Sequence, residues 1–123
     1  MAYLYIMLGA IAGAPLRYFV QGRVQDIAPP AFPYGTLVVN ITGCLLIGLL
    51  LTLAEERDML GRESRLLLVT GFLGGYTTFS TFGWETYALL RDNEVLQASG
   101  NVILSVAGGI FGVWAGSMIA RLP

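Results

Sequence analysis

An uncharged run from Leu66 to Trp84 lies in the middle of the chain and constrains the fold more than any other stretch. It is long enough to cross a bilayer as a helix, which takes about 20 apolar residues. Its centre carries Gly74-Gly75, however, and three threonines and a serine follow within six residues. Backbone that is not helical at membrane depth persists only where protein surrounds it or where it lines a water-filled cavity. The pattern therefore predicts a helix that breaks near Gly74–Thr77 and resumes at Thr78.

A second interpretation of this stretch is a packing face, rich in glycine and threonine, between two continuous helices. Its hydroxyls would then bond to their own backbone. The two interpretations differ in the groups that they expose. A break frees carbonyl and amide groups that can bind an ion, and the neighbouring hydroxyls add further polar groups.

The composition of the chain places it in a membrane. Of its 123 residues, 55% are hydrophobic and 12% are charged, whereas about a quarter of the residues in soluble domains are charged. We expect an all-α integral membrane protein in which residues 1–123 form a single domain of four transmembrane helices. The predicted spans are Ala2 to about Val20, about Tyr34 to Ala54, Leu66 to about Leu90 and Val102 to Ala120, joined by Gln21–Pro33, Glu55–Arg65 and Arg91–Gly100.

The residue inventory excludes several kinds of site. The chain has no histidine and one cysteine, Cys44, which leaves few ligands for a transition metal and allows no intrachain disulfide. It contains no nucleotide-binding loop and no arrangement of a nucleophile with its base, so we expect neither enzymatic activity nor a nucleic-acid partner. The first apolar run begins at Met1 without a basic segment or a small-residue cleavage site, and we expect a retained span.

Small residues recur at four-residue spacing in the first and fourth predicted spans. Gly9 and Gly13 share one helix face, and Gly108, Gly112 and Gly116 share another. Such faces let helices approach each other closely in lipid. We predict that a chain this small uses part of this surface between subunits and forms at least a dimer. The alternative is that the glycines serve only packing within one chain.

The seven basic residues are all arginines and are divided almost evenly between the two sides of the membrane. With four spans, one side holds Arg57, Arg62, Arg65 and Arg121, and the other holds Arg17, Arg23 and Arg91. Because an excess of Lys and Arg orients a membrane protein, this division predicts insertion in both orientations. An antiparallel, dual-topology homodimer would then place its two broken third helices across a two-fold axis in the membrane plane.

Asn40 and two phenylalanines are the strongest candidates for contact with an anion. The Asn40 amide is costly in hydrocarbon unless it is bonded, and its NH₂ group offers two donors; a helix–helix amide bond is the alternative. Phe79 and Phe82 lie three residues apart and share a helix face. Aromatic residues at this spacing usually belong to the core or face lipid, but an aromatic edge is electropositive and can receive an anion. Flanking hydroxyls at Ser80 and Thr81 favour this second role.

Further polar residues extend this track. Glu85 lies one helical turn after Thr81, and an acid within or near the membrane is a functional candidate, although an interfacial Glu85 that simply faces water is equally consistent. Arg17 would raise the local concentration of anions at a pore mouth, or would only extend its head group to the interface. In the fourth span, Asn101 and Ser105 share a helix face.

Three motifs in the chain carry a family resemblance. They are Gly13-Ala14-x-x-Arg17-Tyr18, then Gly35-Thr36-Leu37-x-x-Asn40-x-x-Gly43, and then Gly71-Phe72-x-Gly74-Gly75-x-Thr77-Thr78-Phe79-Ser80-Thr81-Phe82-x-x-Glu85. Together they resemble the Fluc (CrcB) fluoride channels. The resemblance covers all four predicted spans, and the third motif is very specific.

The resemblance implies a function and a site. It implies a multi-pass protein of a prokaryotic inner (cell) membrane that exports cytoplasmic fluoride passively and selectively, and so lowers fluoride toxicity. It also implies an antiparallel homodimer with two fluoride pores and a central structural sodium ion, for which Gly74 and Thr77 would supply backbone carbonyls. The pore residues that the motifs imply are Asn40, Phe79, Phe82, Ser80, Thr81, Ser105, Glu85 and Arg17.

Two other classes of protein remain as alternatives. A proton-coupled exporter of the small multidrug type has about this length and four spans, but its mechanism needs a carboxylate deep in the membrane. The first span has none, and Glu85 lies near the end of the third. An assembly or scaffold subunit that transports nothing would not need a Gly-Gly break followed by a row of hydroxyls and phenylalanines.

Overall fold

The computed structural model describes residues 1–123 and is entirely helical, with no strand. Three helices are long and apolar enough to cross a membrane, which agrees with the predicted all-α membrane fold; they are the elements labelled α1, α2 and α6 below. The elements in chain order are α1 (Ala2–Ile27), α2 (Tyr34–Glu56), α3 (Arg62–Arg65), the π-helix π1 (Leu66–Leu73), α4 (Gly74–Tyr76), α5 (Phe79–Arg91) and α6 (Val95–Ala120).

The third predicted span consists of two helical segments. Elements α3, π1 and α4 follow one another directly, so residues 62–76 form one helical segment, and α5 forms the other. Between them, Thr77 and Thr78 have extended backbone, with ψ values of 157° and 109°. Gly74 and Gly75 lie within α4 and are helical. The chain leaves the helix at two β-branched residues, a residue type that favours extended backbone.

Only one of these glycines, Gly75, packs against another helix. A Cβ added to Gly75 would lie 3.2 Å from the backbone nitrogen of Ala14 on α1. The missing side chain therefore lets this end of the segment 62–76 approach α1 closely, as small residues do between membrane helices.

All three predicted connections are wrong in extent, and the second is residues 57–61 instead of Glu55–Arg65. Residues 21–27 continue α1, so the first connection is residues 28–33, and α6 already begins at Val95, so the third is residues 92–94. Polar residues beyond a span do not end a helix by themselves. The first helix ends just before Pro29, because proline disfavours helical backbone in the residue before it. The turn after α5 is closed by Asn93, whose φ of 61° is left-handed.

The helices associate as two closely packed pairs, and glycine brings their backbones together. In the first pair, α1 lies against residues 62–76: a Cβ at Gly9 would meet the carbonyl oxygen of Leu67, and one at Gly13 would meet that of Phe72. All of these contacts lie within one chain.

The second pair is α2 with α6, and it is built in the same way. A Cβ at Gly48 would meet the carbonyl oxygen of Val113, and one at Gly116 would meet that of Leu45. The glycine faces on α1 and α6 thus serve packing within the chain, so the argument from these glycines to a dimer is wrong. The reason is that the parallel partner helices within one chain already bury both faces.

Polar contacts tie the chain termini to one end of the bundle. Arg121 donates two hydrogen bonds to Glu56, from Nη2 to Oε1 at 2.6 Å and from Nε to Oε2 at 2.9 Å. This hydrogen bonding raises the pKa of Arg121 above its ordinary value. Met1 and Arg62 line one crevice at the same end. The connections 28–33 and 92–94 meet at the opposite end, where Phe32 lines a crevice with other residues of both segments.

Candidate functional site

Asn40 of α2 holds the interruption between the two segments of the third helix. Its Nδ2 donates to the backbone carbonyl of Thr78 at 3.0 Å, and its Oδ1 accepts from the Thr78 backbone N–H at 2.8 Å. One side-chain amide therefore satisfies both backbone groups of an extended residue. Because the Asn40 NH₂ group has two N–H donors, one of them is left for another acceptor.

Thr78 also starts the second segment. Its side chain accepts a hydrogen bond from the backbone N–H of Thr81 at 3.2 Å, which is the N-cap arrangement for α5. The Thr78 hydroxyl donates to Thr81 Oγ1 at 2.9 Å and lies 3.4 Å from Ser80 Oγ. The predicted pore hydroxyls of Ser80 and Thr81 thus form one cluster with Thr78 in the first turn of α5.

These bonds leave two backbone carbonyls without their usual helical donors. In a continuous helix, the N–H of Thr78 would donate to Gly74, and the N–H of Thr81 would donate to Thr77. Here the first N–H bonds to Asn40 and the second to the Thr78 hydroxyl. Gly74 is exposed, and Thr77 is half-buried. The Gly74 and Thr77 carbonyls named by the sequence motif are therefore among those that the interruption releases.

A cleft of about 370 Å³ brings several predicted site residues together beside the interruption. Asn40, Phe79, Phe82 and Ser105 line it, and Gly74 and Thr77 are also in its wall. The centroids of the Phe79 and Phe82 rings lie 5.6 Å apart, and the angle between the two ring planes is 48°. Phe79 is 84% exposed, so this side of the cleft has no covering wall within the chain. Ser80 and Thr81 are outside the lining.

Ser105 reaches α5 through a chain of polar side chains. Its hydroxyl donates to Asn101 Oδ1 at 3.5 Å, and the Asn101 amide donates to Thr86 Oγ1 at 2.9 Å. The Thr86 hydroxyl in turn donates to the carbonyl of Phe82 at 2.8 Å. Asn101 is buried. The shared helix face of Asn101 and Ser105 thus connects α6 to the turn that carries Phe82.

Glu85 lies apart from the cleft, in a crevice at the end of the bundle that holds the connections 28–33 and 92–94. Its Oε1 accepts a hydrogen bond from Thr36 Oγ1 at 2.7 Å. Its Oε2 is buried and has no partner within the chain. Sequence reasoning did not name Thr36 as a site residue, although its position one helical turn before Asn40 on α2 was an available signal.

Arg17 belongs to neither group. It is half-buried on α1 and is not among the residues that line the cleft or the Glu85 crevice. Apart from Arg17, the structure places the predicted residues in three sets: those of the cleft, those of the hydroxyl cluster around Thr78, and Glu85 with its partner Thr36.

The geometry can be compared with known proteins. A family model described as CrcB-like protein, Camphor Resistance (CrcB), matches residues 4–117. The chain belongs to this family. The fluoride-specific ion channel FluC of Geobacter sulfurreducens is 50% identical over 115 residues, which are 94% of this chain and 92% of that protein.

Two further relatives are similar to this chain over nearly its whole length. The fluoride-specific ion channel FluC of Solibacter usitatus is 46% identical over 121 residues, or 98% of this chain and 99% of that protein. The protein of the same name from Chloroflexus aurantiacus is 48% identical over 118 residues, or 96% and 94% of the two chains. The similarity therefore includes all of the elements that build the cleft, and the chain is a membrane protein with bacterial relatives.

Proposed function

We propose that this protein is a fluoride-selective channel that lets cytoplasmic fluoride leave the cell passively, and that it is not an enzyme. The observation that carries the proposal is its membership of the CrcB family, with relatives named as fluoride-specific ion channels at up to 50% identity over nearly the whole chain. The cleft beside the helix interruption supports it further, because an amide, two aromatic rings and a hydroxyl converge there.

The physical role follows from the chemistry of hydrogen fluoride. This weak acid crosses a membrane in its neutral form and ionises at the higher internal pH, so fluoride accumulates inside. The inside-negative potential then drives the anion out through any open pathway, because each charge moved is worth about 2.3 kcal/mol per 100 mV. No ATP or coupled ion is needed. A channel in the inner (cell) membrane of a prokaryote would serve this purpose.

Several groups along the pore together replace the hydration shell of fluoride. The second N–H of Asn40 donates to the ion, and the electropositive edges of Phe79 and Phe82 receive it without a fixed counter-charge. Ser105 on α6 and the hydroxyl cluster of Ser80 and Thr81 provide further donors along the path. Glu85 lies beyond them at one end, and Arg17 raises the anion concentration at a mouth of the pore.

The cleft supports a homodimer as the functional unit. A pore needs a closed wall, yet Phe79 is 84% exposed and the cleft is open beside it. A second copy of the chain, facing the same cleft, would close it. The near-even division of the arginines supports an antiparallel arrangement of the two copies, which would give two pores related by a two-fold axis.

The released carbonyls support a structural sodium ion at that axis. Sodium is a hard cation and takes oxygen ligands, and the interruption frees the carbonyl oxygens of Gly74 and Thr77 from their helical donors. One chain offers two such ligands, so a symmetric pair would offer four. The chain has no cluster of three His, Cys, Asp or Glu side chains that would favour a transition metal instead. The ion would hold the dimer and favour the entry of anions.

The test of the function is a flux measurement on purified protein in liposomes. We expect a fluoride gradient to dissipate only when a potassium ionophore shunts the charge, and chloride to remain trapped under the same conditions. The asparagine variant Asn40→Leu serves as the matched channel-defective control. Equal chloride flux, or a requirement for a proton gradient as in a coupled exporter, would overturn the proposal.

The orientation of the subunits is tested by labelling. In a Cys44→Ser background, single cysteines placed at Ala31 and at Gly61 lie at opposite ends of the bundle. We expect an impermeant thiol reagent to label about half of each in intact cells. Complete labelling of one position with none of the other would establish a single orientation.

The sodium ion is tested by replacement. When sodium is exchanged exhaustively for a large organic cation, we expect fluoride flux to fall, and we expect no stoichiometric sodium transport when sodium is present. Undiminished flux after verified removal of sodium, or an experimental density map without an ion at the dimer axis, would remove this part of the proposal.

A further inference from the structure

A chain of hydrogen bonds leads from α1 to the carboxylate of Glu85. The side-chain amide of Gln21 donates from Nε2 to Thr36 Oγ1 at 2.9 Å, and the Thr36 hydroxyl donates to Glu85 Oε1 at 2.7 Å. A hydroxyl has one proton to donate and two lone pairs with which to accept. Because Gln21 supplies a donor to Thr36, the single Thr36 proton points at Glu85.

The position of Gln21 is fixed by the start of α2. A Cβ added to Gly35 would lie 3.1 Å from Gln21 Cγ and would meet the Gln21 backbone carbonyl. One turn further along α1, Gln25 accepts from the Gly35 N–H at 3.2 Å and donates to the carbonyl of Phe32 at 3.1 Å. Two glutamines thus hold the same helix start, but only Gln21 contacts Thr36.

We infer that Gln21 is a positioning residue that sets the direction of the Thr36–Glu85 hydrogen bond. Its effect on transport rests on the proposed fluoride channel. With Thr36 donating, Glu85 Oε1 has a partner, and the buried Oε2 of the same carboxylate has none within the chain. A donated hydrogen bond also offsets part of the negative charge that would repel an anion in this part of the path.

The chain of hydrogen bonds from Gln21 through Thr36 to Glu85, called the relay below, makes a prediction that does not depend on transport. In Gln21→Glu, two carboxylates compete for the one proton of Thr36. In Glu85→Gln, the amide oxygen can accept the same Thr36 proton, so the chain of hydrogen bonds stays complete. The double variant restores a complete chain that runs the other way, from Gln at 85 through Thr36 to Glu at 21. We expect Gln21→Glu to lower the thermal unfolding midpoint by about 5 °C, Glu85→Gln to leave it nearly unchanged, and the double variant to recover most of the loss caused by Gln21→Glu.

Additive losses in the double variant would overturn the inference, because a residue that only fills space at position 21 gives no reciprocal rescue. So would a Gln21→Glu variant as stable as the original protein, since the opposite direction, with Glu85 donating to Thr36 and Thr36 donating to position 21, would tolerate that change. Both outcomes are read from folded protein in detergent, whatever the protein transports.

The second test uses fluoride flux. We expect Gln21→Glu to reduce flux about tenfold, the value of a lost hydrogen bond to a charged group. The neutral variant Gln21→Met should lose less, since Thr36 can still donate to Glu85. Gln25→Glu is the matched control, because it adds the same charge one turn away, beside the same crevice, without reaching Thr36; its loss should be about twofold.

The effect of Gln21→Glu on fluoride flux should also depend on the Thr36 hydroxyl. In a Thr36→Val background, Gln21→Glu should change flux by no more than Gln25→Glu does in the original chain. An equal tenfold loss in both backgrounds, or no loss from Gln21→Glu in a folded protein that conducts fluoride, would overturn the inference. If the original protein conducts no fluoride, the proposed function fails, and the stability test alone decides whether the relay exists.

Discussion

The α2–α6 interface and the interruption at Thr77–Thr78 are held together in opposite ways. At the interface, the missing side chains of Gly48 and Gly116 bring two helix backbones into contact. At the interruption, two backbone groups of Thr78 depend on the single side chain of Asn40. At the interface, an added side chain would overlap backbone atoms, which cannot rotate away as a side chain can. The interruption is specified by a few polar bonds, each of which can be removed without creating a clash.

This difference shows how a small bundle can keep an irregular backbone in a membrane. Unpaired backbone groups cost several kcal/mol in hydrocarbon, so the interruption survives only if neighbouring helices present its partners at fixed positions. The close contact of α2 and α6 at Gly48 and Gly116, called the glycine frame below, holds the helices at fixed positions. Close-packed interiors resist gradual deformation. Substitutions in the frame should therefore cost stability first, and substitutions at the interruption should cost transport first.

The largest effect should come from adding methyl groups to the frame. In Gly48→Ala combined with Gly116→Ala, each new Cβ would overlap a backbone carbonyl of the facing helix, at Val113 and Leu45 respectively. We expect the free energy of unfolding to fall by about 3 kcal/mol or more, because backbone cannot rotate away as a side chain can. The measurement is the unfolding midpoint in mild detergent.

Gly22→Ala and Gly83→Ala are the matched controls, since a Cβ at either position meets nothing within 4 Å. Both glycines are helical, so alanine there should keep or slightly raise stability, by up to about 1 kcal/mol each. A frame variant as stable as these controls would contradict the close backbone contact between α2 and α6.

The next largest effect should come from Asn40. In Asn40→Leu, the N–H and the carbonyl of Thr78 both lose their partner, and an unpaired buried polar group costs about 1–3 kcal/mol. We expect a loss of about 2 kcal/mol in stability and a loss of more than tenfold in fluoride flux. Asn40→Asp keeps the acceptor for the Thr78 N–H but loses the donor, so it separates the two bonds. Normal flux in a folded Asn40→Leu protein would contradict the role of Asn40.

A smaller effect should follow from removing the cap of α5. In Thr78→Val, the backbone N–H of Thr81 loses the side chain that accepts its hydrogen bond. Loss of an N-cap typically costs about 1 kcal/mol. Thr78→Ser keeps the hydroxyl and should restore both stability and flux, which thermal unfolding and liposome flux would check. If the serine variant is as unstable as the valine variant, the methyl group and not the cap is what matters.

The smallest effect should come from a polar bond within the glycine frame itself. Thr52 Oγ1 donates to Ser117 Oγ at 2.8 Å, across α2 and α6. Hydrogen bonds between membrane helices contribute about 0.6 kcal/mol on average, so Ser117→Ala should lower the unfolding midpoint only slightly. Thr52→Val should do the same, and the double variant should cost no more than either one. A loss as large as that of the double glycine variant would show that polar bonds, not close packing, hold this frame.

The sequence by itself determined the class of fold and the family to which the chain belongs. Charge-free runs fix which residues can lie in lipid, because burying a charge there is costly whatever the tertiary arrangement. This is a local property, and three continuous apolar helices agree with it. The predicted break near Gly74–Thr77 was attributed to Gly74 and Gly75, but these glycines are helical, and the extended residues are Thr77 and Thr78.

Only the tertiary structure decided which groups meet. The spacing of Gly9 and Gly13 fits a subunit interface as well as a contact with residues 62–76, and the fold selects the latter. Likewise, the sequence does not say which group Asn40 meets within the chain, and the approach of α2 places it on the Thr78 backbone. The relay from Gln21 to Glu85 has no local signature at all. Contacts between helices depend on their crossing, rotation and register, and these follow from the packing of the whole bundle.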